Sequence, residues 1–190
     1  MRRLLTLSLL WVLGTNLALS QSQDLVSPWD LKPVALTDVP YNCPAPLHVQ
    51  ADVDVGGSYY IDSHHSIVDP VKKAKYLNAR KSYDDFTKMI VAAADAYQTT
   101  GSRQAALGAA SLLESAAKDN FLGGKCPTGQ DSYVQGWLGG SVIIAYLKVR
   151  PSGLITPEQK NVILPWLKLI AKHTQTFLIP RTPGPRRLRS

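Results

Sequence analysis

The side chains best suited to chemistry in this sequence are concentrated between residues 57 and 70, which are Gly-Ser-Tyr-Tyr-Ile-Asp-Ser-His-His-Ser-Ile-Val-Asp-Pro. Two tyrosines, two histidines and two aspartates fall within this one segment, ahead of a predicted helix. Tyrosine rings stack on the faces of sugars, and their hydroxyl groups form hydrogen bonds to the sugar hydroxyls. The pair Tyr59 and Tyr60 therefore favours a loop that contacts carbohydrate.

The same segment has two other interpretations. Asp62, His64, His65 and Asp69 are of the residue types that ligate metals. Adjacent histidines on a loop rarely point in the same direction, which favours a solvated loop over a metal site. The sequence also lacks the G-x-S-x-G and H-E-x-x-H motifs of hydrolases and metalloproteases. We therefore expect no metal and no other cofactor.

The formal net charge of +7 comes from the two ends of the chain. Arg2 and Arg3 lie at the start, and four more arginines lie among the last ten residues. Basic and acidic side chains nearly balance between these ends, so the body of the chain lacks the broad positive field that binding to nucleic-acid phosphates requires. We expect no nucleic-acid partner.

Residues 1–20 have the pattern of a signal peptide. A positively charged start precedes an apolar run over residues 4–13, which is too short to span a bilayer core of roughly 30 Å as a helix. Small residues at positions 18 and 20 place the expected start of the mature chain at Gln21. We therefore expect a secreted or periplasmic protein with no stable membrane insertion after cleavage.

Export would place Cys43 and Cys126 in an oxidising compartment, where a disulfide between them is allowed. Such a bridge would attach an irregular N-terminal arm to the helical body, and the sequence leaves open whether it forms. The two cysteines have no C-x-x-C spacing and therefore predict no zinc site.

The predicted fold is all-α, preceded by an extended arm with loops over residues 21–68, which show no sustained period. From residue 69 onward, apolar residues recur at helical spacing, and four helices are predicted. Their expected starts are at Asp69-Pro70, at Ser102, at Asp131 or Ser132, and at Thr156-Pro157. Short loops between the helices favour antiparallel hairpins. Residues 180–190 lack periodicity and predict a disordered basic tail.

At the tyrosine loop and at three other segments, the sequence resembles the alginate lyase superfamily of secreted polysaccharide lyases. The three segments are Cys-Pro-Ala-Pro at 43–46, Tyr-Val-Gln-Gly-Trp-Leu-Gly-Gly at 133–140, and Ala-Tyr-Leu-Lys-Val-Arg at 145–150, which leads to Thr-Pro-Glu-Gln at 156–159. The resemblance covers about residues 41–178. It depends on the order and spacing of these segments together.

The resemblance implies helical hairpins that form part of an incomplete α/α toroid, with a partial lyase-like domain over residues 69–179. An acidic polysaccharide such as alginate would lie in a groove across one end. The reaction would be β-elimination at a uronic acid residue. In this reaction the carboxylate charge is neutralised, a base removes the C5 proton, and an acid protonates the departing 4-oxygen. No cofactor is essential to such a scheme.

Carried over position by position, the resemblance implies substrate-binding roles for Ser58, Tyr59, Tyr60 and Trp137. The first three would belong to a mobile lid loop over the groove. Trp137 would be an aromatic residue of the groove wall, and a tryptophan packed in the core between helices is the open alternative.

The sequence departs from the family pattern in two places. Basic residues commonly precede this tryptophan in the family, whereas Gln135 and Gly136 stand here, which weakens the expected grip on a polyanion. The family's catalytic centre is formed around an Asn-Asn-His segment with a tyrosine and an arginine further on, and this sequence has no Asn-His pair. We therefore expect a chain truncated before its catalytic residues, with little or no turnover.

Two further expectations follow from this interpretation. A secreted, non-catalytic carbohydrate-binding or helper protein is the alternative to a lyase. Self-association through exposed hairpin faces is also expected, because each hairpin of a toroid buries its apolar side on the next one.

Overall fold

The computed structural model describes residues 26–179, and these are mostly helical. The helices are α1 (Pro28–Leu31), α2 (Pro70–Thr100), α3 (Arg103–Lys118), α4 (Gly129–Val149) and α5 (Pro157–Leu178). A single 3-10 turn at Arg150–Ser152 directly follows α4. Within the described range there is no β-strand, and two isolated bridges are the only β-type pairings. The predicted all-α class is confirmed.

Two predicted segments lie outside the described residues. These are the signal peptide at 1–20 and the basic tail at 180–190. The described part of the arm is irregular as predicted, apart from the four-residue helix α1, which the sequence analysis did not identify.

Local capping chemistry explains where α2 and α5 begin. Asp69 accepts hydrogen bonds from two backbone N–H groups in the first turn of α2, and Pro70 occupies the first helical position. Gly101 ends α2 in the left-handed conformation at φ 73°. Thr156 and Gln159 exchange the two hydrogen bonds of a capping box at the start of α5. These starts are as predicted, because each depends on residues that are adjacent in sequence.

Helix α4 begins earlier than predicted. Its N-cap is Thr128, and Asp131 is the third residue of the helix. The Asp131 carboxylate accepts hydrogen bonds from the Thr128 backbone N–H at 2.8 Å and from its hydroxyl at 2.7 Å, which completes a capping box. The predicted cap at Asp131 or Ser132 is wrong. An aspartate is common both at the N-cap and three residues after it, and Asp131 occupies the second of these positions.

The core is built where the four long helices meet. Helix α2 contacts α3 and α4, and α5 contacts the same two helices. The largest fully buried side chains include Tyr83, Phe86, Ile90, Tyr97, Leu112, Leu113, Phe121, Ile163 and Ile170. The arm contributes Val53 and Val55, which are buried without belonging to a strand. The apolar residues that recur at helical spacing in α2 and α3 are largely buried.

The disulfide considered between Cys43 and Cys126 is not formed, and both thiols are free. Cys43 packs against Gly108 of α3 so closely that a Cβ there would lie 2.6 Å from the sulfur. Burial raises the pKa of both thiols, which keeps them protonated at neutral pH. Hydrogen bonds attach the arm to the body instead, as between Val53 N and Lys125 O at 2.8 Å.

Two adjacent glycines of α4 provide a matched test of the packing between α4 and α5. A Cβ at Gly139 would overlap Cγ2 of Ile170, whereas a Cβ at Gly140 would meet no atom within 4 Å. Gly139→Ala is expected to lower the free energy of unfolding by about 1–3 kcal/mol through overpacking. Gly140→Ala is expected to raise it by about 0.5–1 kcal/mol, because alanine loses less backbone entropy in a helix. Urea denaturation measures the free energy of unfolding of both variants. Equal changes in the two variants would contradict this packing.

Candidate functional site

An open pocket of about 510 Å³ lies between residues 57–65 and the first half of α4, and we call it the tyrosine pocket. Its lining residues are Gly57, Ser58, Tyr59, Tyr60, His65, Thr128, Gly129, Gln130, Tyr133 and Trp137. The four residues predicted to bind substrate come from two distant parts of the sequence. All four, Ser58, Tyr59, Tyr60 and Trp137, lie at this one pocket.

A buried carboxylate joins the two walls of the tyrosine pocket. Asp131 is fully buried, and its Oδ1 accepts the backbone N–H of Val55 in the arm at 2.8 Å. Its Oδ2 accepts the two hydrogen bonds from Thr128 at the start of α4. Hydrogen bonds to a charged acceptor are stronger than those between neutral groups. One side chain thus fixes the arm, just ahead of the tyrosines, to the helix that carries Trp137.

Residues 58–69, which we call the flap, form a turn closed by their own hydrogen bonds. Asp69 N donates to Tyr59 O at 2.9 Å, and Ile61 N donates to Ile67 O at 3.0 Å. At the tip, the Asp62 carboxylate accepts hydrogen bonds from Ile67 N at 2.7 Å, from the Ser66 hydroxyl at 2.7 Å and from Ser66 N. The bond from Ile67 and then that from the Ser66 hydroxyl lower the pKa of Asp62 to about 2.

The chain enters the flap through two glycines in a left-handed conformation. Gly56 has φ 78° and Gly57 has φ 74°, values that a side chain would disfavour. His65 at the tip also has a positive φ, of 54°, and its N–H bonds to Asp62 O. The flap is therefore a defined turn between a glycine pair and the start of α2. Its mobility as a lid stays a prediction.

The flap's carboxylates are already engaged by the protein, which disfavours the interpretation of this segment as a metal site. Asp62 holds the flap tip, and Asp69 caps α2 through Val71 N and Lys72 N. Over residues 26–179, no group of three histidine, cysteine, aspartate or glutamate side chains is arranged to hold a metal ion. His65 instead lies against the Tyr60 ring, with the ring centroids 5.2 Å apart.

Three tyrosine rings pack together where the flap meets α2. The Tyr59 ring lies 4.6 Å from that of Tyr60 and 4.8 Å from that of Tyr76, between centroids. The hydrogen bond between the two hydroxyls of Tyr59 and Tyr60, followed by burial, raises the pKa of Tyr59. The charges of Lys73 and Arg80 act on this pKa in the opposite direction, and Arg80 is itself paired with Asp84 through two hydrogen bonds. The phenol is protonated at neutral pH and available as a donor.

Trp137 is an exposed residue of the pocket wall, and the alternative of a core tryptophan is wrong. The side chain is 61% exposed, and Tyr133, one helical turn earlier, is 48% exposed. Their ring centroids lie 6.1 Å apart, as the spacing of four residues in a helix allows. The two rings form a continuous aromatic surface along α4.

Gln135 and Gly136, which precede Trp137 in the sequence, do not lie on this aromatic surface. Gln135 is buried, and its Nε2 donates to Leu122 O at 2.6 Å. Gly136 faces Thr174 of α5, whose Cγ2 would lie 3.4 Å from an added Cβ. A lysine or arginine at position 135 would bury its charge if its side chain followed the path of the Gln135 side chain.

Sequence reasoning missed several residues of the site. Tyr133 could have been found, because it lies four residues before Trp137 on one face of a helix. Gln130 and Thr128 were hidden by the misplaced start of α4. The contributions of Lys73 and Arg80 required the position of α2 relative to the flap, which no local pattern provides.

The depressed pKa of Asp62 gives a pH test of the flap. Its hydrogen bonds are fully formed above the usual carboxyl pKa of about 4 and are lost as the pH falls through about 2. The amide proton resonances of Ser66 and Ile67 should therefore titrate with a midpoint of about 2 in an NMR acid titration. Asp62→Asn should abolish this titration. Asp54→Asn, which alters a carboxylate bonded to Gly56 N, should leave it unchanged. A wild-type midpoint of about 4 would contradict the proposed bonding.

No family model matches this sequence, and no curated protein is significantly similar to it. Among residues 26–179, no helix combines the length and the apolar character that crossing a membrane requires.

Proposed function

We propose that this is a secreted polysaccharide-lyase-like protein that binds a uronic-acid polysaccharide, such as alginate, in the tyrosine pocket. The observation that carries the proposal is the exposed indole of Trp137 in the same open pocket as the paired phenols of Tyr59 and Tyr60. Exposed aromatic faces combined with a few hydroxyl and amide groups suit a ligand that has apolar faces and polar edges. A pyranose ring is such a ligand.

The polar groups around the pocket favour an acidic sugar. Ser58 and Gln130 provide a hydroxyl and an amide group at its edge. The positive charge of Lys73 acts on the Tyr59 hydroxyl, whereas that of Arg80 is balanced by Asp84 through two hydrogen bonds. A uronate carboxylate near Tyr59 would accept a hydrogen bond from the phenol and be attracted by Lys73. A neutral polysaccharide would gain the stacking and the hydrogen bonds without this attraction.

We also propose that α2 to α5 form two antiparallel hairpins within an incomplete α/α toroid. The short connection Gly101-Ser102 supports pairing of α2 with α3. The connection from α4 to α5 is also short, and it consists of the 3-10 turn and the irregular residues that follow it, up to residue 156. Helix α2 also contacts α4, and α3 contacts α5, as two hairpins packed side by side would require.

The family reaction requires a base at C5 and an acid at the 4-oxygen. The raised pKa of Tyr59 suits hydrogen-bond donation to a bound sugar and does not suit proton abstraction at neutral pH. The sequence also has no Asn-Asn-His segment. We therefore propose binding with little or no β-elimination by this chain. The alternative function, a non-catalytic helper protein, shares this binding and is favoured by the same raised pKa.

Replacing Trp137 tests where the polysaccharide binds. Trp137→Ala is expected to weaken the binding of a uronate oligomer by about 1–2 kcal/mol, because the stacking surface is lost. Isothermal titration calorimetry with a uronate oligomer measures the affinity, and the same titration with a neutral oligosaccharide shows whether the protein prefers the acidic sugar. Ile144→Ala is the control, since Ile144 is exposed on the same helix outside the pocket. Unchanged affinity in Trp137→Ala, or equal affinity for the neutral sugar, would contradict the proposal.

Ultraviolet absorbance separates the enzyme from the binding protein. β-Elimination leaves an unsaturated uronate that absorbs in the ultraviolet, so turnover is seen directly. We expect the purified protein to bind alginate without a sustained rise in absorbance. A clear rise that Trp137→Ala reduces would overturn the non-catalytic assignment and establish a lyase.

Self-association is proposed from the same architecture. Large apolar side chains are exposed on several helices, among them Leu77 of α2, Leu107 of α3 and Ile144 of α4. A further hairpin would cover such surfaces in a complete toroid. We expect light scattering to show species larger than a monomer, increasing with protein concentration. A compact monomer at all concentrations would contradict this expectation.

A further inference from the structure

A second cleft, of about 710 Å³, lies between the loop 123–126 and the last turns of α5. Lys125, Lys172 and His173 line it, together with Asp52 from the arm. We call this cleft the lysine trough. We infer that it is a second subsite for the acidic polysaccharide, in which the two lysines and the Nε2–H of His173 bind a uronate carboxylate. This inference rests on the proposed function.

The charges in the lysine trough favour an anion. Neither Lys125 nor Lys172 forms a salt bridge within the described range 26–179. The opposing carboxylate is that of Asp52, whose Oδ1 accepts the backbone N–H of Lys125 at 2.8 Å. Asp52 therefore serves to hold the loop, and two ammonium groups are available against this one anion. A ligand carboxylate would complete the charge balance.

Gln135 fixes which nitrogen of His173 carries the proton. The Gln135 Nε2 donates to Leu122 O at 2.6 Å and lies 3.2 Å from Nδ1 of His173. The reverse orientation of the amide would place its oxygen against the Leu122 carbonyl, so the nitrogen must occupy this position. An amide nitrogen only donates, so Nδ1 of the neutral imidazole accepts and Nε2 carries the proton. The Nε2–H is then the donor that His173 offers to a ligand.

The backbone beneath the trough adopts a conformation that residues with a Cβ seldom take. Leu122 is fully buried at φ 59°, and Asn120 has φ 51°. In this conformation Leu122 O accepts from Gln135, and the preceding carbonyl, Phe121 O, accepts from Trp166 Nε1 at 2.7 Å. The unusual turn thus directs two carbonyl groups at polar side chains of α4 and α5. Gln135 is a positioning residue that depends on it.

A small pocket of about 140 Å³ links the lysine trough to the tyrosine pocket. It shares Tyr133 and Trp137 with the tyrosine pocket, and it shares Ser132 and Phe177 with the trough. The rings of Tyr133 and Phe177 meet edge to face, with their centroids 5.0 Å apart. A polymer stacked on Trp137 can therefore continue across these two rings into the trough. A ligand of one or two sugars would fill the tyrosine pocket alone.

Chain length is the variable that separates the two subsites. Short and long oligouronates, prepared from alginate, are titrated calorimetrically into the full-length protein and its variants. Lys172→Ala and His173→Phe should weaken the binding of the long oligomer by about 5- to 10-fold and leave the short oligomer unaffected. Lys168→Ala is the matched control, because this lysine is exposed on α5 and does not line the trough. It should change neither affinity.

The outcomes distinguish this inference from the proposed function. If Trp137→Ala weakens both oligomers while Lys172→Ala and His173→Phe change neither, the trough is not a subsite and the proposed function stands. If neither oligomer binds the wild-type protein, both are overturned. A Lys168→Ala effect as large as that of Lys172→Ala would show non-specific attraction and would also overturn the subsite.

The role of Gln135 has its own spectroscopic test. The two imidazole nitrogens of His173 are distinguished by their ¹⁵N chemical shifts. We expect the Nε2–H tautomer for neutral His173 in the wild-type protein and a mixture of tautomers in Gln135→Met, which removes the amide at similar volume. A predominant Nδ1–H tautomer in the folded wild type would overturn the assigned orientation.

Discussion

The position of the flap over α4 depends on one buried carboxylate. Asp131 accepts a backbone N–H from the arm at Val55 and two hydrogen bonds from Thr128 at the start of α4. The Val55 N–H belongs to no strand, and without Asp131 it would be a buried donor without a partner. The negative charge is also placed at the favourable end of the helix dipole. The same residue therefore starts α4 and brings the tyrosines beside Trp137.

The proposed binding of a polyanion uses a few cationic side chains of a nearly neutral body. Lys73 of α2 acts on the Tyr59 hydroxyl, and Lys125 and Lys172 line the lysine trough, whereas Arg80 is paired with Asp84. The rings of Tyr133 and Trp137 line the small pocket between the two clefts.

The helices were predictable where adjacent residues decide them, as at Asp69-Pro70 and Thr156-Pro157. Features that depend on distant parts of the chain were not. The position of Asp131 within α4 is decided partly by its hydrogen bond to Val55 of the arm. The thiols of Cys43 and Cys126 are free because the packing of the arm on the helices does not bring them together. Residues 142–147 of α4 are apolar on nearly all sides, so their pattern could not show which face is exposed. The site tyrosines were predicted by type, whereas the lysine trough required the fold.

Under the proposed function, an acidic polysaccharide lies against the aromatic rings of the tyrosine pocket. Intermolecular nuclear Overhauser effects between sugar ring protons and aromatic protons, in a complex with a uronate oligomer, test this contact directly. We predict such effects to Trp137 and to Tyr60, whose rings line the same pocket. The proposed contact would be contradicted if neither ring showed an intermolecular Overhauser effect and if the chemical shifts changed only for residues outside the two clefts.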